Sequence, residues 1–340
     1  MLTATVASVA VAAPRPSVTH GVIRLATVDD AGRSVTFPLY WAAPAGHPRA
    51  IVVVFHGHGH NADEWAHELA MTARRDRAVV VAPFTRETKA SKGPFDSVDE
   101  EARGAASAIA WARHRFHVQP TYLLCVSMGC TGLAYFADAA TRPTAGDADA
   151  RWVQSRHPLP IRGIVVSEGL SNLVETWAEA AAADHTSQAE IEAETRTASG
   201  PATPAQNAAA YRSRSLALLP TSSLAGLGVR MAAVVHDVDD GLVPVNQVAE
   251  TRVALTAAGI PIHGVTVARN TPTCSTDGQT TATHYASDDL DPTVCLAGHA
   301  SEIRPELPVM RATFDALQLL IAGTMRAGEY TEDPDAGAFY

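Results

Sequence analysis

The residues with the clearest chemical potential lie around Ser127. An apolar, β-prone run from Thr121 to Val126 leads directly into Ser127, and a helix-favouring stretch from Thr131 to Ala140 follows. A serine in a tight strand-to-helix turn holds its hydroxyl clear of the sheet, and the next helix directs backbone N–H groups towards it. These are the conditions for a nucleophilic serine. Cys125 stands at the first glycine position of the Gly-x-Ser-x-Gly pattern, so the match is incomplete.

A second motif precedes the serine. The apolar run from Ala50 to Phe55 ends in His-Gly-His-Gly at positions 56–59. Acyl transfer requires two hydrogen-bond donors directed at the developing oxyanion. One donor comes from the residue after the nucleophile, here Met128. The other comes from a glycine-rich turn, here His58, because glycines allow the backbone to approach a substrate carbonyl closely.

With these two motifs the chain resembles the α/β-hydrolase superfamily, in which the serine is followed along the chain by an acid and then a histidine. The resemblance implies an acid in an Asp-x-x-Val-Pro turn, and Asp240 fits that pattern after the buried run from Val229 to Val235. Asp237 and Asp239 are neighbouring alternatives. Glu168 is a further alternative, since some relatives carry the acid at the end of the preceding strand.

The resemblance also implies a histidine base in a loop after the last strand. The run from Ile262 to Val267 has the pattern of that strand, and His299 follows a long loop and precedes a final helix. In this arrangement His299 takes the proton from Ser127, while Asp240 holds the histidine tautomer and stabilises the imidazolium. His284 lies in the same loop and is the main rival.

The function that the resemblance implies is hydrolysis of a carboxylic ester through an acyl-enzyme on Ser127, without a cofactor or a metal. The substrate would be a small-molecule or polymeric ester. Peptidase, amidase and acyltransferase activities are alternatives that use the same residues. The motifs are similar to those of secreted esterases related to polyester depolymerases and to prolyl-oligopeptidase-type hydrolases.

A rival hypothesis is zinc chemistry at His56, His58 and His60. Alternate residues of an extended segment point the same way, so two imidazoles could share a metal ion. The His-x-His-x-Asp-His pattern of metallo-β-lactamases is incomplete here, because position 60 is His and position 61 is Asn, so the acidic ligand and one histidine are missing. The rival also leaves the ordered serine, aspartate and histidine set unexplained. A non-catalytic binding protein is the remaining alternative.

Elements that could position these residues alternate along most of the chain. Strands are predicted at 22–28, 34–41, 51–55, 78–82, 122–126, 161–166, 229–235 and 262–267, and helices at 62–75, 99–116, 245–258 and 305–322. The alternation predicts an α/β fold, a mostly parallel sheet flanked by helices, with an antiparallel hairpin formed by the first two strands. Sites in such sheets gather at the carboxyl ends of the strands, where the candidate residues lie.

The domain organisation predicted from the sequence is a single α/β-hydrolase domain over residues 21–325. Residues 173–219 are rich in Ala, Glu and Thr and lie where the superfamily inserts a helical cap or lid. Residues 1–20 are predicted to be a flexible N-terminus or the remnant of a signal, and 326–340 a C-terminal tail.

The amino-acid composition limits the classes of partner that this chain is expected to bind. The chain of 340 residues has a net charge of −10 and a pI of about 5.7. An acidic balance argues against a nucleic-acid or anionic-membrane partner. No apolar run reaches the roughly 18 residues that a transmembrane helix needs.

The four cysteines are informative about the cellular compartment in which the protein is located. Cys274 and Cys295 flank the loop ahead of His299, where a disulfide would restrict the loop, and Cys125 and Cys130 lie on either side of Ser127. Four free thiols are the alternative. An even cysteine count and a small, apolar N-terminus favour an oxidising, extracytoplasmic location over the cytoplasm.

Overall fold

The computed structural model describes residues 18–28, 33–57, 70, 72–83, 98–183, 185–238, 240, 243, 245–267 and 308–332. Several residues singled out by their sequence lie outside the described residues: His58, His60, Asp239, Cys274, His284, Cys295 and His299.

A nine-stranded sheet forms the centre of the fold, in the order β1-β2-β4-β3-β5-β6-β7-β8-β9. The strands are β1 (Val18–Val28), β2 (Ser34–Pro44), β3 (Ala50–Phe55), β4 (Ala78–Pro83), β5 (Thr121–Val126), β6 (Gly163–Ser167), β7 (Met231–Asp237), β8 (Ile262–Val267) and β9 (Gly328–Glu332). β1 pairs with β2 and β2 with β4 in antiparallel fashion, and every other pair is parallel. The predicted parallel sheet and N-terminal hairpin are therefore confirmed.

The central strands are apolar on both faces, as parallel strands covered by helices must be. Along β3 the side chains alternate between two apolar layers. Ile51, Val53 and Phe55 belong to the layer on one face, and Val52 and Val54 to the layer on the other. The unbroken apolar runs in the sequence are thus explained by burial on both sides.

Helices cover both faces. They are α1 (Val98–Phe116), α2 (Gly129–Thr141), α3 (Ala148–Ser155), α4 (Leu173–Ala183), α5 (His185–Glu194), α6 (Ala208–Ser213), a 3-10 turn (Leu216–Leu218), α7 (Thr221–Gly226), α8 (Val245–Ala257) and α9 (Pro308–Ala322). Helices α1, α2 and α8 share the first apolar layer, and α9 fills the second. None of the helices in the described ranges combines the length and apolarity needed to cross a membrane.

Two elements depart from the predictions. The tail predicted over 326–340 contains β9, which adds to the sheet beside β8. β9 is mostly exposed and lacks an apolar alternation, so its pairing depends on backbone hydrogen bonds that sequence patterning does not reveal. The polar segment around 141–160, for which no helix was predicted, contains α3, whose first turn is capped by Asp147 accepting from the Ala150 N–H at 2.7 Å. An aspartate at the N-cap position is the kind of local signal that could have identified this helix.

Residues 173–218 lie within the connection from β6 to β7 and contain α4, α5, α6 and the 3-10 turn, with α7 following before β7. We call this segment the helical insertion. It falls within the range 173–219 predicted from the sequence, and the role of that range as a cap or lid stays a prediction.

Candidate active site

Ser127 directly follows β5 and has a φ of 51°, in the left-handed region that non-glycine residues seldom adopt. Its N–H donates to the Ser167 carbonyl at 3.0 Å. Its carbonyl accepts from the N–H groups of Cys130 and Leu170, each at 3.1 Å. The backbone of this turn is therefore held by the neighbouring strand and by the first turn of α2. This is the strand-to-helix turn that the sequence predicts.

The start of α2 lies directly against the end of β3. A Cβ on Gly129 would fall 2.6 Å from the His56 carbonyl oxygen and even closer to that of Phe55, so only glycine fits. Among the described residues no acceptor is hydrogen-bonded to the backbone N–H of Met128, as expected at the start of a helix. The close approach places the start of α2 beside Phe55 and His56 at the end of β3. His58, the other candidate donor, lies outside the described residues.

Gly129→Ala is expected to lower the free energy of unfolding by about 3 kcal/mol, because α2 or β3 must shift to admit the methyl group. Chemical denaturation measures this change. Gly21→Ala in β1 is the matched control, since a Cβ there would make only ordinary contact with Trp41 at 3.4 Å. Equal stability of the two variants would contradict the close approach of α2 to β3.

The ends of β6 and β7 bring acidic residues together. Glu168 follows β6 with a φ of 45° and is fully buried. Its N–H donates to the Val235 carbonyl at 3.0 Å, and its Oε1 accepts from the N–H of Asp237 at 3.1 Å. Asp237, the last residue of β7, is also fully buried. The Glu168 carboxylate thus accepts a hydrogen bond from the backbone of Asp237, a second candidate acid.

Asp240 lies in the turn after β7. Its N–H donates to the Asp237 carbonyl at 3.2 Å, and its Oδ1 accepts from the Val243 N–H at 3.0 Å, which fixes the turn through the aspartate side chain. Ligand atoms of Asp240, Glu168 and His236 all lie within 4.8 Å of one another. Two of the candidate acids are therefore neighbours in space.

His236 was missed by sequence reasoning. It is buried near the carboxyl end of β7, directly after five apolar residues of that strand. A polar residue in such a run, one position before an aspartate, is the signal that could have identified it.

Three side chains in the described ranges could hold a metal ion together. They are Glu168, His236 and Asp240, and two carboxylates and an imidazole are donors that divalent metals accept. Of the histidines in the zinc hypothesis only His56 is described. It is buried, and its Nδ1 lies 3.1 Å from the carbonyl oxygen of Gly57. Any test of activity at the carboxyl ends of these strands therefore needs a control with a metal chelator.

The helical insertion packs beside Ser127 onto the carboxyl ends of the parallel strands, which we call the rim of the sheet. One apolar cluster combines rim residues with insertion residues; it comprises Met128, Leu170, Val243, Leu173, Ile191 and Tyr211. Met128 directly follows Ser127, and Val243 bonds to Asp240. The insertion therefore covers both the serine turn and the acid turn with apolar side chains.

A cation–π contact joins the insertion to α2, and a hydrogen bond from the same tyrosine links α2 to α3. The Arg214 Nε donates to Glu194 Oε1 at 2.7 Å, and the Arg214 guanidinium lies 4.5 Å from the ring centroid of Tyr135 in α2. The Tyr135 hydroxyl donates to Asp149 Oδ2 at 2.6 Å, and Asp149 also pairs with the buried Arg103. Burial, followed by the nearby Asp149 charge, raises the pKa of Tyr135 well above its ordinary value. The phenol therefore stays protonated and can donate.

Glu101 is a buried carboxyl beside this network. It is 5 % exposed, its Oε1 has no hydrogen-bond partner among the residues that the structure describes, and its carboxyl packs against Gly132 in the first turn of α2. Burial, and then repulsion from Glu194, raises the pKa of Glu101 well above the ordinary glutamate value. The folded protein therefore retains this proton over a pH range in which the unfolded chain has released it.

We expect the free energy of unfolding to fall as the pH rises above the ordinary glutamate range, by up to about 1.4 kcal/mol per pH unit, and to level off above the folded-state pKa. Glu101→Gln cannot ionise, so its advantage over the wild type should grow across that window. Urea denaturation between about pH 4 and pH 9 measures the difference. The control is Glu329→Gln, which removes an exposed carboxylate. Parallel curves for the wild type and Glu101→Gln would refute the prediction.

Comparison with solved structures shows a shared architecture at low identity. Carboxyl esterase 2 from the mycorrhizal fungus Tuber melanosporum is 15 % identical, with a TM-score of 0.57 over 94 % of this chain and 90 % of that protein. A fungal esterase from Rhizomucor miehei is 14 % identical, with a TM-score of 0.54 over 91 % and 84 %. A thermostable esterase from Pseudomonas putida is 16 % identical, with a TM-score of 0.50 over 74 % and 73 %.

No protein-family model matches the chain, and no curated protein sequence matches it either. The likeness to the solved esterases is therefore one of fold.

Proposed function

We propose that this chain, which has the α/β-hydrolase fold, is a serine hydrolase that cleaves a carboxylic ester through an acyl-enzyme on Ser127. The observation that carries the proposal is the left-handed turn of Ser127 between β5 and α2, at the rim where Glu168 and Asp240 meet. Strained backbone of this kind concentrates at functional sites. The solved proteins with the same fold are described as esterases, which further supports ester cleavage.

The proposed chemistry begins with His299 as general base. It takes the proton from the Ser127 hydroxyl as Oγ forms a bond to the ester carbonyl carbon. The carbonyl oxygen gains negative charge, which the backbone N–H groups of Met128 and His58 stabilise. The intermediate then expels the alkoxide, to which His299 returns the proton. A water molecule, activated by His299, repeats the sequence on the acyl-enzyme and releases the carboxylic acid.

Asp240 is the acid that we propose for this base. It lies in the turn after β7, at the rim, and its backbone is fixed by its own side chain through Val243. Glu168 Oε1 accepts from the Asp237 N–H, which suits a residue that braces the acid turn. We therefore propose Glu168 as a support for the turn, with the orientation of the imidazole assigned to Asp240.

The helical insertion is proposed to act as a cap. Its apolar contacts with Met128 and Val243 place nonpolar side chains over the serine and acid turns. A covered site excludes water and strengthens the electrostatic interactions inside it. The acyl group can be transferred to water, to an amine or to another alcohol. The cap would decide between these outcomes by admitting one acceptor to the site.

An oxidising, extracytoplasmic location is part of the proposal. The disulfide between Cys125 and Cys130 supports it, because disulfides persist mainly in secreted proteins and oxidising compartments.

The experiment that tests the function is labelling with a fluorophosphonate probe, with and without a chelator, followed by peptide mapping. Modification of Ser127 that is unaffected by the chelator is the expected result. Absence of the adduct, together with p-nitrophenyl ester turnover that is lost on chelation, would replace the proposal with metal-dependent hydrolysis. Absence of both adduct and turnover would indicate a binding protein or a closed cap.

A further inference from the structure

A disulfide encloses the serine turn. Cys125 is the penultimate residue of β5 and Cys130 is the second residue of α2, and their bond closes a loop that contains Ser127. Both cysteines are fully buried. The bond therefore ties the strand before the nucleophile to the helix after it.

The turn inside this loop needs restraint. A left-handed φ at a non-glycine residue is strained and persists only where the surroundings enforce it. At Ser127 the backbone hydrogen bonds to Ser167, Cys130 and Leu170 supply part of this restraint. The disulfide adds a covalent constraint across the same few residues, on both sides of the serine.

The disulfide also contacts a third element. A Cβ on Gly169 would lie 2.6 Å from Cys130 Sγ, so the sulfur packs directly on the glycine backbone. Gly169 lies between Glu168, with its left-handed φ, and Leu170, whose N–H bonds to the Ser127 carbonyl. Reduction would leave two non-bonded thiols in a buried site that already lacks room beside Gly169. Their separation would displace the serine turn, the Glu168 turn, or both.

From these contacts we propose that the Cys125–Cys130 disulfide is a positioning element for catalysis: it holds the Ser127 turn at the distance and orientation that nucleophilic attack requires. The inference rests on the proposed function of Ser127. The cysteine at position 125 takes the place of the first glycine in the nucleophile pattern, so in this chain a covalent tie accompanies the close packing of strand and helix. The disulfide acts through Ser127 and need not touch the substrate.

The double variants Cys125→Ala/Cys130→Ala and Cys125→Ser/Cys130→Ser test the proposal, because the second pair nearly preserves side-chain volume. Both are expected to lose about 10- to 100-fold in kcat on a p-nitrophenyl ester, since a displacement of about 1 Å can cost that much. KM should change by less than about twofold, because binding of the ester is not altered. The rate of fluorophosphonate labelling at Ser127 should fall by the same factor as kcat.

A lower melting temperature alone would not distinguish positioning from general stabilisation. Val153→Ala, which truncates a fully buried residue in α3, is the matched control for destabilisation and should leave kcat unchanged. If either double variant fails to fold, the wild type produced with reduced cysteines serves instead. Its kcat should be low and should recover on oxidation, with the bond mapped by mass spectrometry.

The outcomes separate the two proposals. A wild type that reacts with the probe, beside folded double variants that react equally fast, overturns the positioning role and leaves the proposed function intact. The positioning role is also overturned if protein prepared under oxidising conditions is fully active while Cys125 and Cys130 are free thiols. A wild type whose Ser127 does not react at all overturns both proposals.

Discussion

Replacing Ser127 with alanine is expected to lower kcat by about 10⁶-fold while leaving the fold intact, because nucleophile and base act as a unit whose loss removes nearly all of the chemistry. The variant keeps the methylene carbon that packs in the turn and loses only the hydroxyl. The backbone bonds to Ser167 and Leu170 do not involve the side chain. The measurement is steady-state turnover of p-nitrophenyl esters, with circular dichroism and thermal unfolding to verify the fold.

Ser107→Ala is the control for this variant. Ser107 is a buried serine in α1 whose hydroxyl donates to the Arg103 carbonyl at 3.0 Å, and it takes no part in the proposed site. Its substitution should leave kcat unchanged. Near-normal turnover by Ser127→Ala would exclude the acyl-enzyme mechanism, and a similar loss in both variants would indicate damage to the fold.

Asp240→Asn is expected to lower kcat by about 10³- to 10⁴-fold, because an amide stabilises the wrong histidine tautomer and carries no charge to balance the imidazolium. Asparagine retains an oxygen that can accept from the Val243 N–H, so the turn after β7 should survive. The measurement is kcat across a pH series.

Glu168→Gln is the companion variant, since Glu168 is the rival acid and lies beside Asp240. Glutamine can still accept from the Asp237 N–H, so we expect a much smaller loss of kcat than for Asp240→Asn. A mild effect at Asp240 together with a severe one at Glu168 would transfer the role of the acid to the end of β6. Small losses of kcat in both variants would indicate that Asp237 or Asp239 is the catalytic acid.

The central elements could be predicted from the sequence with useful accuracy. β8 begins and ends at the predicted residues, and α1 differs from its predicted range by one residue. These elements carry strong local signals, because buried parallel strands are unbroken apolar runs and long helices have a regular spacing of small apolar residues. β9 carries no such signal, since an exposed edge strand is stabilised mainly by backbone hydrogen bonds to its neighbour.

The sequence by itself determined that Ser127 lies in a strand-to-helix turn and that acidic residues follow later strands, because strand runs, glycines and turn residues are local properties of the chain. Only the tertiary structure decided that Glu168 meets the turn after β7, since Glu168 and the Asp237 N–H that it bonds are 69 positions apart. Strand order brings them together, and that order depends on packing across the whole sheet. The same holds for the packing of the Cys125–Cys130 disulfide, whose Cys130 sulfur lies against Gly169 in the turn after β6.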